Sequence, residues 1–179
     1  NAEALTRVLR ADLEMSGAFQ ILDDPSFIDT DGVAPAEVKF DDWKNVGAQG
    51  LVKTKLTVAG KDLSVELHAY EVASGKEAGS KVVTGTVDDV RALGHAVADE
   101  VFRTFTGEPG VFRTKLAVVK KVQGEKHVFV LDVDGEGARQ ITKDGGLNLL
   151  PSWSPDGKSL LYTSYRYDNP DLFEQPLGG

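Results

Sequence analysis

Three histidines, His68, His95 and His127, are the only imidazoles this chain offers for acid–base or metal chemistry. None of them falls in the His-x-His or His-x-x-x-His spacing that brings two ring nitrogens to one ion. They read as surface or partly packed side chains. Asp132-Val133-Asp134-Gly135-Glu136-Gly137 starts like a calcium loop but lacks the third acidic position and the distant Glu that complete one. It reads instead as a tight turn between strands. The same glycines make no dinucleotide fingerprint, because Gln140 stands at the third glycine position and no helical pattern follows. No serine sits in Gly-x-Ser-x-Gly between a strand and a helix. With no cysteine there is no thiol nucleophile, disulfide or cysteine-held metal. No catalytic, metal or cofactor residue is assigned, and no cofactor is expected.

The most patterned stretch concerns architecture. Pro151-Ser152-Trp153-Ser154-Pro155-Asp156-Gly157-Lys158 is followed at once by the apolar run Ser159–Thr163. Pro155 pre-sets its φ, Asp156 can bond its own backbone, and Gly157 accepts a positive φ, so this is a hairpin turn between β-prone arms. Sliding Leu116–Gly135 forward by 44 positions lays Leu116 on Leu160, Phe129 on Phe173, Val133 on Leu177 and Gly135 on Gly179 without a gap. Repeats of about 40–45 residues belong to propeller blades of four antiparallel strands. One repeat unit reads as strands at 115–122, 126–134, 138–142 and 149–154. The alternative is a plain β-meander with accidental similarity. Trp153 is expected to fill the gap between adjacent blades and not to serve as a ligand platform.

Charge divides the chain. Residues 1–109 carry 11 Lys and Arg against 19 Asp and Glu, whereas residues 110–179 carry 9 of each. A phosphate backbone is repelled by the first part and unattracted by the second, so nucleic acid is excluded as an expected partner. The pairs Asp23-Asp24 and Asp41-Asp42 read as solvated carboxylates. No apolar run is long enough to span a bilayer as a helix, and the first residues carry no signal-peptide pattern.

The elements that must position these residues follow from periodicity. Residues 2–16 form an amphipathic helix with Leu5, Val8, Leu9 and Leu13 on one face and Gly17 as its cap. Phe19–Leu22 reads as a first strand, a loop runs to about Val38, and Asp41-Asp42-Trp43 opens a short helix ending at Gly47. Strands are expected at 49–58, 62–72 and 80–87, joined by hairpins. In the middle one Leu63, Val65, Leu67 and Ala69 face a core, while Ser64, Glu66, His68 and Tyr70 face water. Asp88–Thr106 is a helix with the stripe Val90, Leu93, Val97, Val101 and Phe105. The expected architecture is therefore an α/β domain at 1–109, with a mixed or antiparallel sheet and helices on it, followed at 110–179 by the first, incomplete blades of a β-propeller. The first domain lacks an opening strand, blade 1 its innermost strand and blade 2 its outermost strand, so a piece of a larger protein is expected. Its open blade edges, near Lys115–Val122 and Asp171–Leu177, invite self-association.

Several runs together carry a family resemblance. They are Ala11–Phe19 in the first helix, Gly94–Gly107 with Asp99-Glu100-Val101-Phe102, Gly110-Val111-Phe112-Arg113-Thr114, Asp132–Gly135, and the Trp153-Ser154-Pro155-Asp156-Gly157 turn. With these, the whole chain resembles the TolB family. The resemblance implies a periplasmic, non-enzymatic protein of the Tol–Pal envelope system, with a small α/β domain before a six-bladed propeller. It implies binding of the lipoprotein Pal through the propeller and of TolA through a flexible amino-terminal segment, serving outer-membrane integrity and cell division. The alternative is the propeller domain of a serine peptidase or of another propeller-containing periplasmic binding protein. Phe112, just past the short Gly107–Gly110 linker, is expected to pack at the domain junction.

Overall fold

The computed structural model describes residues 2–23 and 32–178, which form two compact units, Asn1–Arg113 and Thr114–Gly179. In the first unit, helix α1 (Ala2–Met15) turns Leu5 and Leu13 inward and ends at Gly17, whose φ of +67° supplies the left-handed cap. The short helix α2 (Phe40–Asn45) precedes strands β1 (Gly50–Ala59), β2 (Asp62–Glu71) and β3 (Lys76–Thr86). These pair antiparallel in the order β1-β2-β3, so among the described residues the sheet has no parallel member. Helix α3 (Val90–Thr106) starts where the Asp89 carboxylate accepts the Ala92 N–H, and ends at Gly107 with φ +79°.

Its stripe, Leu93, Val97 and Val101, packs with Leu63, Val65 and Leu67 of β2 and with Leu5 and Leu13 of α1. Each such side chain contributes about 1.5–3 kcal/mol of apolar burial. The two helices come close because α3 carries Gly94 at their contact: a Cβ there would meet Val8 Cγ1 at 2.8 Å.

Three expectations for this unit are corrected. Phe19–Leu22 is not a strand. Phe19 and Ile21 pack on the core, and the Leu22 carbonyl accepts a side-chain N–H from Arg10 at 2.8 Å, so a side chain takes up a carbonyl that a ladder would otherwise use. Tyr70 does not face water: it is wholly buried against Val38, Trp43, Leu51 and Val72, and its hydroxyl donates to the Val33 carbonyl at 2.5 Å. The chain around α2 covers that end of the sheet, which alternation along β2 alone could not reveal. β3 begins at Lys76, because the hairpin needs only a tight turn closed by Gly75. Asp24 and the loop residues up to 31 lie outside the described residues, as does Gly179.

The second unit contains two three-stranded antiparallel sheets. One is β4 (Lys115–Val122), β5 (Glu125–Asp132) and β6 (Arg139–Gln140); the other is β7 (Asn148–Trp153), β8 (Ser159–Ser164) and β9 (Asp171–Pro176). The strand expected over 138–142 shrinks to two residues. The sheets share a core of Val128, Val130, Leu160 and Tyr162, with Ala117, Ile141, Trp153, Phe173 and Leu177 around it. Val118 pairs with Phe129 and Tyr162 with Phe173; Ala117 pairs with Val130 and Leu161 with Glu174. The 44-residue offset of the sequence is thus a structural repeat, with the same cross-strand pairs in both sheets.

Candidate protein-docking surface

The segment that leads into β7 is built to hold one residue in an unusual posture. Gly146, with φ +120°, brings the chain back against the end of β8, where the Leu147 carbonyl accepts the Tyr165 N–H at 3.0 Å. Asn148, fully buried, donates its side-chain N–H to the Lys126 carbonyl at 3.0 Å. Leu149 then pairs with Thr163, but the ladder slips before Ser152. In that irregularity sits Leu150, with φ +53° and 78% of its surface exposed. A left-handed conformation costs an L-residue about 1–2 kcal/mol, and the following Pro151 further disfavours helical angles at this position. Among the described residues, neither core packing nor backbone preference explains this strained, solvent-facing leucine.

Other apolar surface lies at the same end of the sheet. Leu172, 71% exposed, pairs across β8 with Thr163, which in turn pairs with Leu149. Tyr165 and Tyr167 stand in the loop that joins β8 to β9, and both are exposed. Aromatic and aliphatic anchors on a braced backbone are what a protein interface requires, and strain collects where a surface has work to do. Sequence reasoning missed these residues. The signal available was the break in alternation at Leu149-Leu150 before a proline.

The hairpin turn itself satisfies its own polar groups. The Ser154 hydroxyl donates to Asp156 Oδ1 at 2.7 Å, and that oxygen also accepts the Lys158 N–H, while Ser159 N–H donates back to Ser154 Oγ at 3.0 Å. Gly157, at φ +69°, donates its N–H to the Ser154 carbonyl. The Ser154 hydroxyl, seconded by the Lys158 N–H, holds the Asp156 carboxyl below its ordinary pKa. Trp153, half-buried, packs on the core between the two sheets, and Pro155 starts the turn. The 132–137 stretch is a turn: Gly135 N–H donates to the Asp132 carbonyl at 2.9 Å, and Lys115 pairs with the Asp132 carboxylate. Phe112 lies in the first unit, buried, with its ring edge-on to Phe102 at 5.8 Å.

The histidines are more tightly held than expected. His127 and His95 are buried, the first 3.4 Å from Thr142 Oγ1 and the second 2.7 Å from Asp12 Oδ2. His68 is clamped between Glu66 at 3.0 Å and Glu77 at 2.7 Å, which ties β2 to β3. The Glu66 carboxylate, followed by Glu77, outweighs desolvation and raises the His68 pKa above 6.5; His68 in turn lowers that of Glu77 below 4.5. The raised His68 contributes stability below pH 6.5 that is lost as pH rises through its folded value. The lowered Glu77 contributes stability above pH 4.5 that is lost on acidification. The clamp is therefore strongest between pH 4.5 and 6.5. For so open a site its worth is below about 1 kcal/mol. The stability difference between parent and His68→Gln, followed against pH, should peak in that window and shrink above it; a pH-independent difference would refute the clamp.

Helices on an antiparallel sheet, followed by two three-stranded sheets whose β4–β5 and β8–β9 hairpins recur at 44 residues, define a two-unit protein with an α/β module and a β-repeat module. Residues 1–78 match the family model of the TolB amino-terminal domain. The Tol-Pal system protein TolB of Anaeromyxobacter sp. (strain K) is 36% identical over 174 residues, which are 96% of this chain and 40% of the relative. The protein of that name from Myxococcus xanthus (strain DK1622) is 38% identical over 161 residues, 89% of this chain and 37% of the relative. The crystal structure of TolB from Acinetobacter baumannii superimposes with a TM-score of 0.87 at 23% identity, over 97% of this chain and 44% of that one. Over nearly its whole length the chain is similar to TolB proteins. It spans about two fifths of the length of the curated relatives it matches.

Proposed function

We propose that this chain is a non-enzymatic, periplasmic component of the Tol–Pal envelope system whose β-repeat unit docks the lipoprotein Pal. In this reading β4–β6 and β7–β9 are the first blades of a six-bladed propeller. TolA is engaged through a flexible amino-terminal segment, and the assembly serves outer-membrane integrity and cell division. Likeness to the relatives supports the Tol–Pal assignment, and the name that they bear supplies the system. The observation that carries the docking role is Leu150, held out to solvent in a left-handed conformation by a braced segment.

Covering a leucine side chain is worth about 1.5–3 kcal/mol, so Leu150→Ser should weaken Pal binding by about tenfold or more. Titration of purified Pal into isotope-labelled chain, followed by amide NMR, reads both affinity and place. Shifts are expected at 144–150 and 165–172, and smaller ones at equal Pal for the variant. Parent-like affinity in Leu150→Ser, or shifts confined to the first unit, would sink the proposal.

A further inference from the structure

We propose that Arg166 is the positioning residue of this docking surface, acting through the segment Asp144–Leu150 and not by touching the partner. The proposal rests on the docking role of Leu150. Arg166 is only about a quarter exposed, and its guanidinium is held on three sides. It lies 3.9 Å over the Phe173 ring, a cation–π contact. Its terminal N–H donates to the Tyr162 hydroxyl at 2.6 Å. Its Nε is 2.7 Å from Asp144 Oδ2, an ion pair in which the N–H is not aligned for a hydrogen bond.

Two of those contacts reach the core. Phe173 stacks on Tyr162 with ring centroids 6.0 Å apart, and Tyr162 is buried against Val128, Val130 and Leu160. The third contact grips the far side of the surface segment, six residues before Leu150. Gly146 passes so close that a Cβ there would stand 3.7 Å from Arg166 Cα. One planar side chain therefore connects the inter-sheet core to the stretch whose geometry sets Leu150. Lysine can keep the charge but not the stack and the two-sided reach together. A brace of this kind lowers the ordering cost of binding, so its removal weakens affinity without removing any contact.

The test measures amide hydrogen exchange and Pal affinity on the same full-chain samples, using parent, Arg166→Lys, Asp144→Asn and the double variant. Arg166→Lys should speed exchange at Leu147 and Leu149 about tenfold, leave Leu160–Tyr162 unchanged, and weaken Pal about three- to tenfold. Asp144→Asn should do the same to a smaller degree, and the double variant should be no worse than Arg166→Lys, because the two side chains act as one unit. Weakened binding with parent-like exchange would mean direct contact and overturn the proposal. Faster exchange with parent-like affinity would leave Arg166 a purely structural brace and overturn it as well. The Leu150→Ser arm separates the two readings. If that variant binds Pal like the parent, the docking role itself falls, whatever exchange shows.

Discussion

Asp12→Ala should lose about 1–3 kcal/mol of stability in the first unit, the cost of leaving a buried hydrogen-bonding group without its partner. Asp12 has no exposed surface, and its Oδ2 lies 2.7 Å from His95 Nδ1, which bonds α1 to α3 across 83 residues of sequence. A carboxylate can only accept, so Nδ1 carries the proton of that bond. The pair sits beside the Gly94 contact, where the helices are already too close to admit a Cβ, so water has little room to replace the lost oxygen. Asn at 12 keeps the shape and an acceptor, and should lose less. All the helices among the described residues lie in the first unit, so the far-ultraviolet helical signal during urea unfolding reports on it. A loss below about 1 kcal/mol for Asp12→Ala would refute the assignment of this pair as a stabilising contact.

Phe112→Ala should cost more, roughly 3–5 kcal/mol, the range for deleting a fully buried aromatic ring. Its ring is edge-on to Phe102, and its N–H donates to Asp99 Oδ1 at 3.0 Å. Asp99 Oδ2 takes Arg113 Nε at 2.6 Å, so one carboxylate clasps two successive residues onto α3. Gly110 is part of the same clasp: any Cβ there would overlap Asp99. The neighbouring Val111, 55% exposed, gives the control, since Val111→Ala should stay within about 0.5 kcal/mol. Equal losses for the two variants would mean that the segment is not clasped through Phe112. Limited proteolysis should show the same contrast, with cleavage near Gly110 accelerated in Phe112→Ala alone.

Much of this fold was legible because its elements speak through local periodicity. The stripe of α3, the caps Asp89 and Gly107, and the alternation of β2 from Leu63 to Ala69 each report a face or an end within a few residues. The 44-residue offset was legible for the same reason, and the cross-strand pairs Val118–Phe129 and Tyr162–Phe173 give it a structural meaning. What escaped depends on distant chain. Tyr70 is buried by the segment around α2, the His95 environment is made by Asp12, and the middle of α3 binds Phe112 and Arg113 through Asp99. Leu150 escaped because its oddity is a backbone angle, and the letters Leu-Leu-Pro do not print one.

The approach of α1 to α3 at Gly94 also limits the route by which this sequence can change. With Val8 Cγ1 2.8 Å from where an alanine methyl would begin, position 94 can gain a side chain only after residue 8 has become smaller. The reverse order passes through an intermediate with the two helices forced apart, and with them the Asp12–His95 bond. Residues 8 and 94 are therefore an ordered mutational pair. A lineage that enlarges the second without first trimming the first is expected to lose stability at this contact.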